Sequence, residues 1–91
     1  MKDVSFRALP VSPLEVRLMV KEIKSYPLLL GVRGEPRKDI EKIIEVIFKV
    51  GNILQYCKEL ADIEINPLMV YEQGKGIKPV DIRVLLADEE K

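Results

Sequence analysis

The sequence predicts an α/β fold with the element order β-α-α-β-β, a sandwich of two helices on a small, mainly antiparallel sheet. Three observations predict it: a helix-start signal near residue 12, a long apolar repeat of helical period from residue 40 to 57, and two alternating stretches separated by a glycine-containing turn. A chain of 91 residues is long enough for one small domain and leaves no room for a second core.

The amino-terminal part predicts one strand and one helix. Residues 4–9 are expected to form a short strand, which a proline closes. A helix is expected over about residues 13–24, because Ser12 can cap it, Pro13 suits its first position and Glu15 can complete a capping box. Its apolar stripe is predicted to consist of Leu14, Leu18, Met19 and Ile23.

The middle of the chain predicts an irregular connection and a long helix. Residues 26–34 are apolar but contain one proline and two glycines, which leaves room for a single helical turn. Asp39 is expected to cap the second helix. Gly51 interrupts good helix formers at a cost of about 1 kcal/mol, so it predicts a close packing point. The predicted apolar stripe consists of Ile40, Ile43, Ile44, Ile47, Val50, Ile53, Leu54 and Cys57.

The last third of the chain predicts a β-hairpin. Residues 62–71 alternate between polar and apolar side chains, with Pro67 inside the stretch. Residues 72–76 contain two glycines and predict the turn, and residues 77–86 predict the returning strand. Because a proline cannot donate a hydrogen bond to the ladder, a bulge near Pro67 is also reasonable.

Three polar residues of this hairpin form a candidate magnesium site. Glu64 and Asn66 share one face of their strand because side chains alternate, and Asp81 joins them only if the register brings it to that face. Carboxylate and amide oxygens are the hard ligands that Mg²⁺ prefers, and Mg²⁺ often takes only a few protein ligands. The alternative is a plain solvated strand face, which the alternation alone favours.

Composition argues against several classes of function. Fifteen basic and fifteen acidic residues cancel and are interspersed, so we expect no nucleic-acid binding. One cysteine and no histidine exclude an intrachain disulfide and argue against a zinc site. There is no signal-peptide pattern and no apolar run near the ~20 residues that span a bilayer, so we expect a cytoplasmic protein without membrane contact. The high content of Ile, Glu and Lys weakly indicates a thermophilic source.

Four segments of the chain, in order, resemble the ATP-grasp domain of ADP-forming acetate–CoA ligases, a family related to the succinyl-CoA synthetase β chain. They are Val4-Ser5-Phe6-Arg7-Ala8-Leu9-Pro10, Lys21-Glu22-Ile23-Lys24-Ser25-Tyr26-Pro27-Leu28-Leu29, Gly31-Val32-Arg33-Gly34-Glu35-Pro36, and Ala61-Asp62-Ile63-Glu64-Ile65-Asn66-Pro67-Leu68 followed by Asp81. The resemblance covers nearly the whole chain. It implies that residues 1–91 are a partial ATP-grasp domain, namely its C-terminal lobe.

The resemblance implies roles for five residues. Asn66 and Asp81 match the positions that hold Mg²⁺ against the phosphates of ATP or ADP. Glu64 matches a nearby acidic position, with a catalytic role in phosphoryl transfer or in orienting the metal shell. Arg7 and Arg33 match arginines that could contact phosphate, although a structural ion pair is the favoured alternative for both. The implied function is part of an ADP-forming acid–CoA ligase that carries out ATP-linked phosphoryl transfer.

The resemblance also implies partners. Nothing in the sequence resembles the nucleotide-cradling N-terminal lobe, and no histidine could accept a phosphoryl group. The chain alone is therefore expected to be inactive and to need that lobe or a CoA-binding subunit. The alternative is a non-catalytic remnant that self-associates, for example as a homodimer, or binds another partner, because apolar surface that the parent domain buries would be exposed.

Overall fold

The computed structural model describes residues 3–87 and confirms the predicted α/β architecture. Within those residues, three helices precede four short strands. The strands form an antiparallel hairpin in two segments, in which the first strand pairs with the fourth and the second with the third. The elements are α1 (Pro13–Glu22), α2 (Tyr26–Leu29), α3 (Ile40–Tyr56), β1 (Leu60–Ile65), β2 (Leu68–Val70), β3 (Ile77–Pro79) and β4 (Ile82–Leu86). None of these helices combines the length and the apolarity that crossing a bilayer requires.

Helix α1 begins where the sequence predicts. The backbone N–H of Glu15 donates to the Ser12 hydroxyl at 3.1 Å, and the Ser12 N–H donates to the Glu15 carboxylate at 3.2 Å. This completes the predicted capping box, with Pro13 in the first turn. The helix ends at Glu22, two residues before the predicted end.

The predicted apolar stripe of α1 was wrong. Val16 and Val20 are the buried residues of this helix, whereas Leu14 is 65% exposed and Leu18 is also exposed. Val16 and Val20 lie one turn apart and form the core with two residues of α3, Ile40 and Ile44. Helix α1 has apolar residues on more than one face, and only its packing partner selects the face that is buried.

Helix α3 confirms the predicted bounds and most of the predicted stripe. Ile40 and Ile44 are buried, and Ile43 and Ile47 pack partly buried against them. Gly51 is also buried, and a Cβ placed there would lie 3.2 Å from the Leu9 side chain, so the expected close packing point is present. The stripe becomes more exposed towards the end of the helix, where Ile53 is open to solvent.

The strand predicted over residues 4–9 does not form. The segment has no regular secondary structure, and among residues 3–87 no backbone hydrogen bond pairs it with a strand. Its side chains nevertheless alternate: Ser5 and Arg7 contact Glu22 of α1, whereas Phe6 is 80% exposed. A strand needs a neighbour to satisfy its backbone groups, and the described part of the chain supplies none at this place.

Candidate functional site

The register of the hairpin sets the geometry of the candidate site. The β1–β4 ladder ends at the pair Ile65 and Ile82, and the β2–β3 ladder begins three residues further along each strand in the same register. Counting inward from either ladder therefore places Asn66 opposite Asp81. The backbone agrees, because the Asn66 N–H donates to the Asp81 carbonyl oxygen at 3.0 Å. The sequence had left this register open.

The hairpin has one polar and one apolar face. Residues directly opposite each other in an antiparallel pair lie on the same face, so Asn66 and Asp81 share a side of the hairpin. Alternation adds Glu64 to that side, together with Arg83, which is its cross-strand partner in the ladder. The other side is apolar and consists of Ile63, Ile65, Ile82 and Val84.

The side chains of this polar face are open to solvent. Asn66, Asp81 and Glu64 are exposed, and none of the three forms a side-chain hydrogen bond or an ion pair with residues 3–87. Their oxygens are thus available to an external ligand. A solvated strand face would be equally exposed, so the position of Asn66 opposite Asp81 on one face is the more informative observation.

The donor set is compatible with magnesium and differs from that of a structural zinc site. Nowhere in residues 3–87 do three His, Cys, Asp or Glu side chains gather closely enough to hold a metal ion by themselves. The hairpin instead offers one amide, from Asn66, and one carboxylate, from Asp81, with Glu64 two residues away. Mg²⁺ commonly binds one or two protein oxygens and fills its shell with water and phosphate, whereas structural zinc sites need four protein ligands.

Arg7 forms an ion pair with Glu22 of α1. Its Nη1 donates to Glu22 Oε1 at 3.1 Å, its Nη2 pairs with Glu22 Oε2, and the Ser5 hydroxyl donates to Glu22 Oε1 at 2.6 Å. The Arg7 guanidinium, helped by the Ser5 hydroxyl, lowers the pKa of the Glu22 carboxyl. The structural ion pair, which was the favoured alternative for Arg7, is therefore present.

Arg33 lies in the turn after α2 and is exposed. Its backbone adopts a left-handed φ of 54°, and no ion pair or side-chain hydrogen bond ties it to another residue in the range 3–87. The turn also requires glycine at Gly31, where a Cβ would lie 2.5 Å from the Glu35 carbonyl oxygen. The structural ion pair favoured for Arg33 is thus not found in the described part of the chain, and no such contact brings Arg33 to the hairpin.

One contact that positions the hairpin was not predicted from the sequence. Asp39 is only 5% exposed, and its carboxylate accepts hydrogen bonds from the Lys42 N–H at 3.3 Å and from the Gly76 N–H at 2.8 Å. Its own N–H donates to the Tyr71 carbonyl oxygen at 2.9 Å. The cap on Lys42 was predicted. The bond to Gly76 had no local signal, because it joins residues 37 positions apart and attaches the hairpin turn to the start of α3.

Residues 1–86 match a model of the ATP-grasp domain. The chain is 40% identical over 87 residues to the β subunit of ADP-forming acetate–CoA ligase II of Pyrococcus furiosus, a match that covers 94% of this chain and 37% of that subunit. It is 39% identical over 84 residues to an ADP-forming 4-hydroxybutyrate–CoA ligase of Nitrosopumilus maritimus, covering 92% of this chain and 12% of that protein.

The solved structures that resemble this chain include an acetyl-coenzyme A synthetase. This is the dinucleotide-forming acetyl-coenzyme A synthetase 1 of Ca. Korarchaeum cryptofilum, in complex with coenzyme A and Mg-AMPPCP and with a phosphohistidine segment that points towards its nucleotide binding site. The TM-score is 0.85 at 40% sequence identity, and the match covers 91% of this chain and 38% of that one. The chain therefore spans well under half the length of the relatives that it matches.

Proposed function

Because the chain belongs to the ATP-grasp domain family and corresponds to part of that domain in ADP-forming acetate–CoA ligases, we propose that it supplies metal ligands to a nucleotide site. The proposed ligands are the amide oxygen of Asn66 and the carboxylate of Asp81, which would hold Mg²⁺ against the phosphates of ATP or ADP. The observation that carries the proposal is the register that sets these two residues opposite each other on one face of the hairpin.

The paired backbone holds the two proposed ligand residues in fixed positions. Asn66 and Asp81 are joined by a main-chain hydrogen bond, so their Cα positions are fixed by paired strands and not by a loose loop. The hydrogen bonds of Asp39 hold the far end of the same hairpin. If Mg²⁺ is held by Asn66 and Asp81, it would offset the negative charge that develops during phosphoryl transfer.

Glu64, Arg7 and Arg33 are proposed to have supporting roles or none. Glu64 lies on the same face, two residues before Asn66, and we assign it to accepting hydrogen bonds from water in the metal shell, from where it can also assist phosphoryl transfer. Arg33 is a better candidate than Arg7 for a phosphate contact, because the Arg7 guanidinium is already paired with Glu22.

The rest of the site must come from other polypeptide. The chain matches 37% of the Pyrococcus β subunit, and we propose that residues 1–91 act as the C-terminal lobe of an ATP-grasp domain. A nucleotide-cradling N-terminal lobe and a CoA-binding subunit would complete it. The chain has no histidine, so any histidine that carries phosphate belongs to those parts. Alone, the chain is proposed to bind nucleotide weakly and to catalyse no reaction.

Calorimetric titration with Mg-ADP tests the proposal. We expect weak binding to the wild-type chain and no measurable binding to the double variant Asn66→Ala, Asp81→Ala. A matched control, Asn52→Ala with Glu35→Ala, removes one amide and one carboxylate from exposed positions away from the hairpin and should bind like the wild type. Equal heats for the wild type and the hairpin variant, including no heat from either, would refute the assignment.

A second candidate function, binding to a partner through apolar surface, is favoured by one specific observation. Residues 4–9 have no strand partner among residues 3–87, and the side chain of Phe6 in this segment is 80% exposed. Exposed apolar groups beside unpaired backbone groups favour association with another strand, including one from a second copy of the chain. Light scattering should then detect a dimer that Phe6→Ser weakens, and a monomer at high concentration would contradict this candidate.

A further inference from the structure

The polar face of the hairpin carries one cation among three carboxylates. Asp62, Glu64 and Asp81 lie on this face, and Arg83 stands directly opposite Glu64 and two residues beyond Asp81 on the same strand. Arg83 is exposed, and its guanidinium forms no ion pair or hydrogen bond within residues 3–87, not even with Glu64. The Arg83 guanidinium, which has no ion-pair partner within residues 3–87, therefore lies next to the proposed metal ligands.

A shallow depression adjoins this arginine. Its volume is about 260 Å³, and it is lined by Asp62, Glu64, Arg83, Val84 and Leu85. The two cross-strand pairs, Glu64 with Arg83 and Asn66 with Asp81, are two residues apart, which is about 7 Å along a strand. A long side chain at the first pair is therefore within reach of a phosphate group bound to a metal at the second pair.

Charge balance explains why a cation is needed there. A divalent ion at Asn66 and Asp81 would neutralise only part of the charge of a nucleotide polyphosphate, and Glu64 and Asp62 add further negative charge to the same face. The phosphate oxygens and these carboxylates are all negatively charged and would repel each other. A guanidinium offsets this repulsion and presents a planar set of donors that matches phosphate oxygens.

We propose that Arg83 contacts the phosphate chain of a nucleoside diphosphate or triphosphate whose metal ion is held by Asn66 and Asp81. This inference rests on the proposed function. It adds a phosphate-binding arginine on the metal face itself to the candidate Arg33. The competing interpretation is that Arg83 only forms a cross-strand ion pair with Glu64, and the structure does not contain that ion pair.

Two NMR titrations of ¹⁵N-labelled chain test the inference separately from the metal site. The first uses Mn²⁺ alone, whose unpaired electrons broaden amide signals near the ion. The second uses magnesium pyrophosphate, which offers phosphate oxygens without an adenine that would need a further lobe. Four chains are compared: the wild type, Arg83→Gln, Arg83→Lys, and Lys21→Gln, which removes one exposed positive charge from α1.

Arg83→Gln should leave the Mn²⁺ broadening unchanged and weaken pyrophosphate binding about tenfold, as expected for the loss of one charge-assisted contact. Arg83→Lys should recover part of the loss, and Lys21→Gln should behave like the wild type. Equal pyrophosphate affinity in Arg83→Gln and the wild type, with Mn²⁺ binding intact, would overturn this inference alone. No Mn²⁺ broadening in the wild type would overturn the proposed function and this inference with it.

Discussion

The backbone N–H of Asn66 donates a hydrogen bond to the carbonyl oxygen of Asp81 at 3.0 Å, so the two residues stand opposite each other across the hairpin. The same register holds in the ladders on both sides of this pair. A shift of one residue in either strand would send one of the two side chains to the opposite face. The proposed metal site therefore depends on the register of the strands.

The core of the chain depends on the face of α1 that carries Val16. Val16→Ala should lower the free energy of unfolding by about 2 kcal/mol, because it removes buried apolar atoms and leaves a cavity. Leu14→Ala is the matched control on the same helix. It should cost well under 1 kcal/mol, because Leu14 is mostly exposed. Urea unfolding followed by circular dichroism measures both, and an equal or larger loss for Leu14→Ala would restore the stripe first predicted from the sequence.

Asp39 should contribute to stability in two separable ways. Asp39→Ser keeps a side-chain cap for Lys42 but leaves the buried Gly76 contact unmade, which should cost about 1–2 kcal/mol. Asp39→Ala also removes the cap and should cost about 1 kcal/mol more. Urea unfolding measures the two steps, and the exchange rate of the Gly76 amide reports the hairpin contact directly. If Gly76 exchanges equally slowly in Asp39→Ser and in the wild type, the contact does not hold the hairpin.

The ion pair between Arg7 and Glu22 should make stability depend on pH. The pKa of Glu22 is lowered from its ordinary value of 4.5, chiefly by the Arg7 guanidinium. A carboxyl whose pKa is lower in the folded state stabilises the fold above the unfolded value and loses this contribution as the pH falls through the folded value. Glu22→Gln should therefore slightly lower the Tm at neutral pH, and the difference from the wild type should vanish in strong acid.

Arg7→Gln is the complementary variant for this ion pair. It should give a similar small decrease in Tm at neutral pH, since exposed pairs contribute little. Thermal unfolding at a series of pH values checks both variants. A difference between the wild type and Glu22→Gln that persists unchanged at strongly acidic pH would contradict the ion-pair explanation.

Local signals in the sequence predicted the helices well. The capping box at Ser12, the cap at Asp39 and the spacing of the isoleucines after it set the helix starts that the structure confirms. These features depend on residues within one or two turns of each other. The buried face of α1 depends on α3, and the strand at residues 4–9 depends on a neighbour that residues 3–87 do not supply, so neither followed from local pattern.

The candidate site, too, could be predicted from the sequence only in part. Alternation along one strand was enough to place Glu64 and Asn66 on a common face. The position of Asp81 depended on the register, which is a property of two strands and their turn. The contact between Asp39 and Gly76 had no signal at all, because it joins an N-cap to a distant turn.

The central claim is that Asn66 and Asp81 bind a divalent cation together, and line broadening by Mn²⁺ tests it most directly because it detects even weak binding. In a ¹⁵N spectrum of the wild-type chain, substoichiometric Mn²⁺ should selectively broaden the amides of residues 64–66 and 81–83. The broadening should disappear in both Asn66→Ala and Asp81→Ala. Uniform broadening over all acidic surfaces, or selective broadening that survives both substitutions, would contradict the account.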